Sequence, residues 1–255
     1  LLALNIGNTN VTFGGYDSAG QRVFASRFYS DMPELGRTGL QACQHAGSLS
    51  YSARDVDAAI LASVVPVLTS RMREAWEDDQ RPLMEVGPGL KSGVRIRMDN
   101  PAQLGGELLC AAVGALQTHK PPLLVMNMDT AATLVAVDAE GSIVGGVILP
   151  SPALSFRPWY ATQPNCRRLN GAACQALFGH QHNGLPAQRY CERQRLMLDG
   201  LFARCRATLH APDAPVIATG TLPASIRDAC ATPIEYNGTL ILDGLYSIWK
   251  RNVKK

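Results

Sequence analysis

The chain opens with LLALNIGNTNVTFGG (residues 1–15), in which two apolar runs flank a small polar turn. This pattern is typical of a β-hairpin. The turn itself, Gly7-Asn8-Thr9-Asn10, offers backbone N–H groups, a hydroxyl and amides, and its glycine lets a phosphate approach the backbone closely. The residues of this turn are consistent with a phosphate-binding loop or with an ordinary hairpin turn, and ordinary hairpin turns are the more common.

The same pattern returns in the second half of the chain. LLVMNM (residues 123–128) predicts a strand, Asp129-Thr-Ala-Ala-Thr133 a small polar turn, and residues 134–138 a second strand, after which a hairpin turn leads to a strand over residues 142–149. A repeated strand, turn and strand suggests an internal duplication. We therefore expect two similar lobes that face each other across a cleft, residues 1–118 and residues 119–255.

The rest of the chain alternates between strand and helix patterns. Strands are predicted over residues 58–65 and 216–220, and helices over residues 67–77, 189–208 and 239–250. A further helical stretch begins at Asn100-Pro101, an N-cap followed by a first-turn proline; it is interrupted at Gly105-Gly106 and ends near Thr118. The expected fold class is α/β.

The composition excludes several classes of protein. With 46% hydrophobic and 18% charged residues among 255, the chain should fold as a globular protein. Its net charge of +3 is spread along the sequence, which argues against nucleic-acid binding. No apolar run is long enough for a membrane span, and Asn5 and Gly7 follow the start too soon for a signal peptide. We expect a soluble cytoplasmic protein that does not bind membranes.

Two phosphate-facing hairpins are the arrangement of the actin, hexokinase and Hsp70 superfamily, in which ATP is held between duplicated ribonuclease-H-like lobes. The chain resembles the type III pantothenate kinase family of that superfamily over nearly its whole length. The motifs that carry the resemblance are Ile6-Gly-Asn-Thr-Asn, Ala62-Ser-Val-Val-Pro, Val86-Gly-Pro-Gly-Leu-Lys-Ser-Gly-Val, Asp99-Asn-Pro-Ala-Gln-Leu-Gly, Thr130-Ala-Ala-Thr, Gly145-Gly-Val-Ile-Leu-Pro and Thr239-Leu-Ile-Leu-Asp-Gly-Leu. The resemblance implies an actin-like ATPase fold of two α/β lobes.

The resemblance also implies an activity and a set of site residues. Family members phosphorylate pantothenate with ATP, Mg²⁺ and a monovalent cation, K⁺, at the start of coenzyme A synthesis, and they form dimers with sites near the subunit interface. By this resemblance, the ATP-binding residues are Asn5, Gly7, Asn8, Thr9, Asn10, Thr130, Thr133 and Gly220, the last in a Gly220-Thr221 turn. The substrate-binding residues are Asn100, Gly105, Gly106, Leu108 and His182, the catalytic residue is Glu107, and the metal-binding residues are Asn127 and Asp129.

Several of these positions depart from the family pattern. The family has an aspartate facing the Mg-nucleotide where this chain has Asn5. Its second hairpin reads Asp-Phe-Gly-Thr, with the aspartate implicated in K⁺ binding, whereas this chain reads Asn127-Met128-Asp129-Thr130. Asn127 retains an oxygen ligand but loses the charge, and Asp129 places a carboxylate where a glycine lets phosphate approach.

The substrate motif also differs. The family motif Gly-Ala-Asp-Arg aligns with Gly105-Gly106-Glu107-Leu108. The aspartate is the implied general base, and Glu107 could fill that role one methylene further out. The arginine is the natural partner of the pantothenate carboxylate, and Leu108 cannot replace its guanidinium group.

Two functions are consistent with these substitutions. One is an impaired kinase that acts on pantothenate or on a hydroxylated acceptor without a carboxylate. The other is a catalytically inactive paralogue that serves as a partner or regulatory subunit of an active pantothenate kinase. The first predicts a homodimer that binds Mg-ATP, and the second a heterodimer with the active paralogue.

Overall fold

The computed structural model describes residues 1–29, 55–77, 81–151, 154 and 185–253. Its strands are β1 (Leu2–Ile6), β2 (Asn10–Tyr16), β3 (Arg22–Tyr29), β4 (Ala59–Ser63), β5 (Leu83–Glu85), β6 (Leu123–Met128), β7 (Ala131–Val137), β8 (Ile143–Pro150), β9 (Val216–Gly220) and β10 (Ile234–Tyr236). Its helices are α1 (Pro66–Glu77), α2 (Gly106–Thr118), α3 (Leu185–Thr208), α4 (Ala224–Arg227) and α5 (Leu240–Asn252), with a 3₁₀ turn at Pro101–Gln103. None of the described helices has both the length and the apolar content to cross a membrane.

The chain forms two compact units. The first unit contains Leu1–Thr118 and Thr239–Lys255, and the second contains His119–Gly238. The end of the long first segment coincides with the lobe boundary expected near residue 118. The predicted second lobe includes residues 239–255, whereas in the structure these residues belong to the first unit.

The sheets of the two units have the same topology. The strand order is β3-β2-β1-β4-β5 in the first unit and β8-β7-β6-β9-β10 in the second. In each unit the first three strands, β1–β3 or β6–β8, pair antiparallel with one another in chain order. The central strand, β1 or β6, also pairs in parallel with the fourth strand of its unit, β4 or β9. This order is that of a ribonuclease-H-like lobe, so the predicted duplication is confirmed.

The central strands are buried along their whole length. All five residues of β1 and all six of β6 are buried, as expected for strands covered on both faces. One face of β1 packs on Met72 and Trp76 of α1, and one face of β6 packs on Leu198 and Phe202 of α3. Side chains alternate between faces, so the polar residue next to the end of each central strand lies on the opposite face from these clusters.

Helix α5 belongs to the first unit because it packs closely on α2. A Cβ atom added at Gly114 of α2 would overlap the carbonyl oxygen of Leu240, and one at Gly244 of α5 would overlap the carbonyl oxygen of Cys110. The two backbones are therefore in direct contact. The apolar face of α5 is buried, including Leu242, Leu245 and Ile248.

Candidate active site

Asn5 and Glu107 form the centre of a polar site in the first unit. Asn5 is the residue before the end of β1 and is only 3% exposed. Its Nδ2 donates a hydrogen bond of 2.9 Å to Oε1 of Glu107, 102 residues away in sequence. Glu107 lies in the first turn of α2, where the helix dipole stabilises a carboxylate. The structure thus brings the predicted base into contact with a predicted nucleotide-binding residue.

The turn after β1 lies beside this pair. Gly7 donates its backbone N–H to the carbonyl oxygen of Asn10 at 2.8 Å, which closes the turn. Asn8 is exposed, Thr9 is half-buried, and Asn10 is buried as the first residue of β2. In α/β sheets, ligands bind beyond the carboxyl ends of the parallel strands, which is where β1 places this turn.

Four of the five predicted substrate residues lie in the first turn of α2 or in the segment just before it. Asn100 Oδ1 accepts a hydrogen bond from the N–H of Ala102 at 3.2 Å, so the predicted cap is confirmed, although the turn it caps is 3₁₀. Gly105 precedes α2, and its carbonyl oxygen accepts a hydrogen bond from the N–H of Leu108. A Cβ atom added at Gly106 would lie 3.4 Å from Cγ1 of Val86. Leu108 is half-buried, next to Glu107. His182 lies outside the described residues.

The second unit places Asn127 at the position equivalent to Asn5. Asn127 is also the residue before the end of its central strand and is 4% exposed. Asn5 pairs with Thr12 of β2 and Ala62 of β4, and Asn127 pairs with Thr133 of β7 and Thr219 of β9. The two asparagines therefore occupy the same place in the two sheets.

The turn after β6 is shorter than the sequence predicts. The prediction assigns residues 129–133 to the turn, but β7 begins at Ala131, because Ala131 and Ala132 pair with β8. Thr133 consequently lies within the strand, and its hydroxyl donates to the backbone oxygen of Asn127 at 3.3 Å. Asp129 and Thr130 form the turn; Asp129 is half-buried, and Thr130 is exposed with its carbonyl oxygen bonded to a serine hydroxyl.

Gly220 and Thr221 bring a second loop against β6. Gly220 has φ of +88°, and a Cβ atom there would lie 2.7 Å from Oδ1 of Asn127. The N–H and the hydroxyl of Thr221 both donate to the carbonyl oxygen of Met128, the latter at 3.0 Å. Tyr236 donates its hydroxyl to the carbonyl oxygen of Gly220 at 2.7 Å. The predicted Gly220-Thr221 turn is therefore held directly beside Asn127.

Ser63, at the end of β4, is not among the predicted site residues. Ser63 Oγ accepts hydrogen bonds from the N–H of Val65 at 3.1 Å and from the hydroxyl of Thr69 at 2.7 Å. These contacts order the start of α1 at the same sheet edge as Asn5. A serine shortly before a helix that begins with Pro66 is the available sequence signal, since serine and proline are favoured at helix starts.

The two equivalent asparagines share an unusual feature. Oδ1 of Asn5 and Oδ1 of Asn127 are both buried and have no hydrogen-bond partner among the described residues. A buried acceptor without a donor costs about 1–3 kcal/mol, so each such atom needs a physical explanation, and contact with a ligand or ion is one. Each central strand thus carries one buried amide oxygen without a hydrogen-bond partner among the described residues.

These residues do not fit a divalent ion held by carboxylates. Mg²⁺ prefers charged oxygen ligands, and Asn5 and Asn127 both contribute neutral amides. In the described part of the chain, no group of three or more His, Cys, Asp or Glu side chains could hold a metal ion. The Glu107 carboxylate beside Asn5 already accepts a hydrogen bond from the Asn5 amide nitrogen.

Known proteins resemble the chain in sequence and in fold. The family model described as type III pantothenate kinase matches residues 1–177. A type III pantothenate kinase of Rhodospirillum centenum is 30% identical over 265 aligned positions covering all of both chains, and one of Pelobacter propionicus is 32% identical over 257 positions covering 99% of both. The activator of 2-hydroxyisocaproyl-CoA dehydratase from Clostridium difficile, solved with bound ADPNP, has a TM-score of 0.54 at 12% identity and covers 100% of this chain and 98% of its own. This last likeness shows the two-lobed, actin-like α/β fold.

Proposed function

The chain belongs to the type III pantothenate kinase family, and from this we propose that it transfers the γ-phosphoryl group of ATP to the hydroxyl of pantothenate or of a similar acceptor, at a reduced rate. The observation that carries the proposal is the placement of Glu107. Its carboxylate lies at the start of α2, held by Asn5 beside the turn that follows β1. We assign Glu107 the role of general base.

The reaction requires little covalent participation by the protein. The acceptor oxygen attacks the γ-phosphorus while the bond to the β–γ bridging oxygen breaks, and Glu107 takes the hydroxyl proton. The proposed phosphate-binding turns are Gly7–Asn10 in the first unit and Asp129–Thr130 in the second. The N–H groups of Gly7 and Asp129 close these turns, so we assign phosphate binding to their other N–H groups and to the Thr9 and Thr130 hydroxyls. Mg²⁺ enters with ATP as part of the substrate. We propose K⁺ as a further cofactor because the chain belongs to this family.

Leu108 is the reason that we expect weak binding of pantothenate. The family places an arginine there, and loss of a paired charge at a carboxylate-binding position costs about 2–5 kcal/mol. The chain should therefore bind pantothenate weakly. The affinity for an acceptor that has the hydroxyl group but no carboxylate should be reduced less than the affinity for pantothenate.

The direct test is release of ADP by the purified chain with Mg-ATP, K⁺ and pantothenate. We expect turnover below the roughly 1–100 per second of ordinary kinases. Glu107→Gln should lower it a further ~100- to 10,000-fold, because the proton acceptor is lost. Glu85→Gln is the matched control, since Glu85 is engaged with Arg73 on an exposed surface. Equal activity of Glu107→Gln and wild type would contradict the assignment of the base.

Leu108→Arg provides a test by gain of function. The variant should increase kcat/KM for pantothenate, by about tenfold or more, through a lower KM. It should leave the kinetics for a carboxylate-free analogue unchanged. An equal effect on both acceptors would show that residue 108 does not contact the carboxylate.

A second candidate function is that of a non-catalytic subunit. It is favoured by the coincidence of Asn5, Asn127 and Leu108, which replace charges at three separate parts of the family site. Such a subunit would form a heterodimer with an active family member in the cytoplasm, whereas the kinase would form a homodimer. Co-expression with a family member that keeps its aspartates tests this: a mixed dimer, together with no ADP release by the chain alone, would favour the subunit.

A further inference from the structure

The hydrogen bond between Asn5 and Glu107 has a defined polarity. A carboxylate oxygen can only accept, so the atom of Asn5 that faces it must be the amide nitrogen, 2.9 Å away. This fixes the orientation of the amide and directs Oδ1 to the buried side, where it has no partner within the described residues. The side chain therefore presents a partial positive charge to Glu107.

A carboxylate at position 5 would produce a different site. Its oxygen would lie near 2.9 Å from the Glu107 oxygen if the backbones stayed in place. Two carboxylates at that distance repel each other unless a proton or a cation lies between them. The strand and helix that carry the two residues are rigid elements with buried residues, so the pair could not easily separate.

We propose that the Asn5 amide takes the place of a bound cation, holding the Glu107 carboxylate in position without a divalent metal ion. Asn5 is a positioning residue, because it acts through Glu107. The first unit consequently has no resident divalent-ion site at this position, in agreement with the poor fit of its residues to Mg²⁺. The inference rests on the proposed function only for the role of Glu107 as base.

Wild type and two variants of the full chain test this by thermal unfolding in chelator and in MnCl₂. Wild type, with amide and carboxylate, should show no change of Tm with Mn²⁺. Asn5→Asp, with two carboxylates, should unfold at a lower temperature in chelator and gain about 5–10 °C at Mn²⁺ near 100 times Kd. The double variant Asn5→Asp with Glu107→Gln exchanges the two groups and restores the hydrogen bond in reverse, so it should again be insensitive to Mn²⁺.

Two further variants complete the design. Glu107→Gln alone should be insensitive to Mn²⁺. Gln117→Glu adds a carboxylate at an exposed position of the same helix and controls for nonspecific metal binding. If Asn5→Asp does not fold in chelator, refolding in Mn²⁺ and Mn²⁺ stoichiometry by electron paramagnetic resonance replace the Tm comparison, with one bound ion expected.

Two results would overturn the proposal. One is a wild-type chain that binds one Mn²⁺ and loses it in Glu107→Gln, because the carboxylate would then be a metal ligand beside Asn5. The other is an Asn5→Asp variant that does not respond to Mn²⁺ beyond the Gln117→Glu control. Absence of ADP release by wild type would contradict the proposed function but would not change the pattern of Mn²⁺ sensitivity.

Discussion

Single residues at the ends of strands carry the main constraints of the candidate site. Gly220 illustrates this, because its φ of +88° lies in the left-handed region and its Cα faces the amide oxygen of Asn127. A side chain at this position would meet both a strained backbone conformation and the carbonyl oxygen of Met128. The close approach of the Gly220-Thr221 turn to β6 thus depends on the absence of a Cβ atom.

Gly220→Ala should destabilise the protein by about 2–5 kcal/mol, from backbone strain and overlap with Met128. Because Gly220 is a proposed ATP-binding residue, the substitution should also weaken ATP binding. Urea unfolding and ATP titration measure the two effects. Gly145→Ala is the control, since a Cβ atom there meets no other atom within 4 Å. Equal stability of the two variants would show that the turn can move away from β6.

Tyr16 predicts a pH dependence of stability. Burial, reinforced by the Asp243 carboxylate to which its hydroxyl donates at 2.9 Å, raises the pKa of the Tyr16 phenol above its ordinary range. A raised pKa in the folded state gives stability that is present below about pH 10 and is lost as the pH rises above it. Urea unfolding of wild type and Tyr16→Phe from about pH 8 to 11 should show a steeper loss for wild type. Parallel curves would contradict the prediction.

At the level of elements, the contact between α2 and α5 joins the site to the first unit's core. Helix α2 carries Glu107 at its start and Gly114 near its middle, and α5 contacts it through Gly244. Helices whose backbones touch have little freedom to slide or rotate. The position of Glu107 is therefore set partly by a helix that begins 133 residues later in the chain, at Leu240.

Gly244→Ala should separate the two helices, because its methyl group would overlap the backbone oxygen of Cys110, which cannot rotate away. We expect a loss of about 1–3 kcal/mol in the free energy of unfolding. Gly200→Ala in α3 is the matched control: a Cβ atom there meets no other atom within 4 Å, and alanine should add about 0.5–1 kcal/mol. A neutral Gly244→Ala would indicate that the helices are loosely packed.

At the level of the whole molecule, the two units have the same sheet but different chain connectivity. The second unit is one continuous segment, His119–Gly238, whereas the first is completed by Thr239–Lys255. Helix α5 covers apolar residues of α2 and of the first sheet. Asp243 of α5 also forms a salt bridge with Arg22 of β3. The stability of the first unit should therefore depend on the end of the chain.

Removal of residues 239–255 tests this dependence. The truncated chain should lose hydrogen-exchange protection in β1–β5, because the face buried by α5 becomes exposed, while β6–β10 keep theirs. Exchange followed by mass spectrometry resolves the two sheets. Equal loss in both sheets would show that the units unfold as one.

The sequence alone was sufficient to predict seven of the ten described strands, the duplication and the family, but not β3, β5 or β10. Hydrophobic patterns are local, so β1 and β6 could be recognised as buried strands, and their repeated turns as equivalent. The prediction of Asn5, Glu107 and Asn127 as site residues rests on the family resemblance and its motif order. The turn over residues 129–133 was predicted too long, because the small residues Ala131 and Ala132 do not indicate on their own whether they pair with another strand.

Tertiary structure decided which groups meet. A local pattern shows that a face is buried but not which partner covers it, and one apolar helix face can pack on several others. The sequence therefore did not place α5 against α2 in the first unit. Nor did it show that the Asn5 amide contacts Glu107, because residues 102 positions apart are brought together only by the packing of α2 on the sheet.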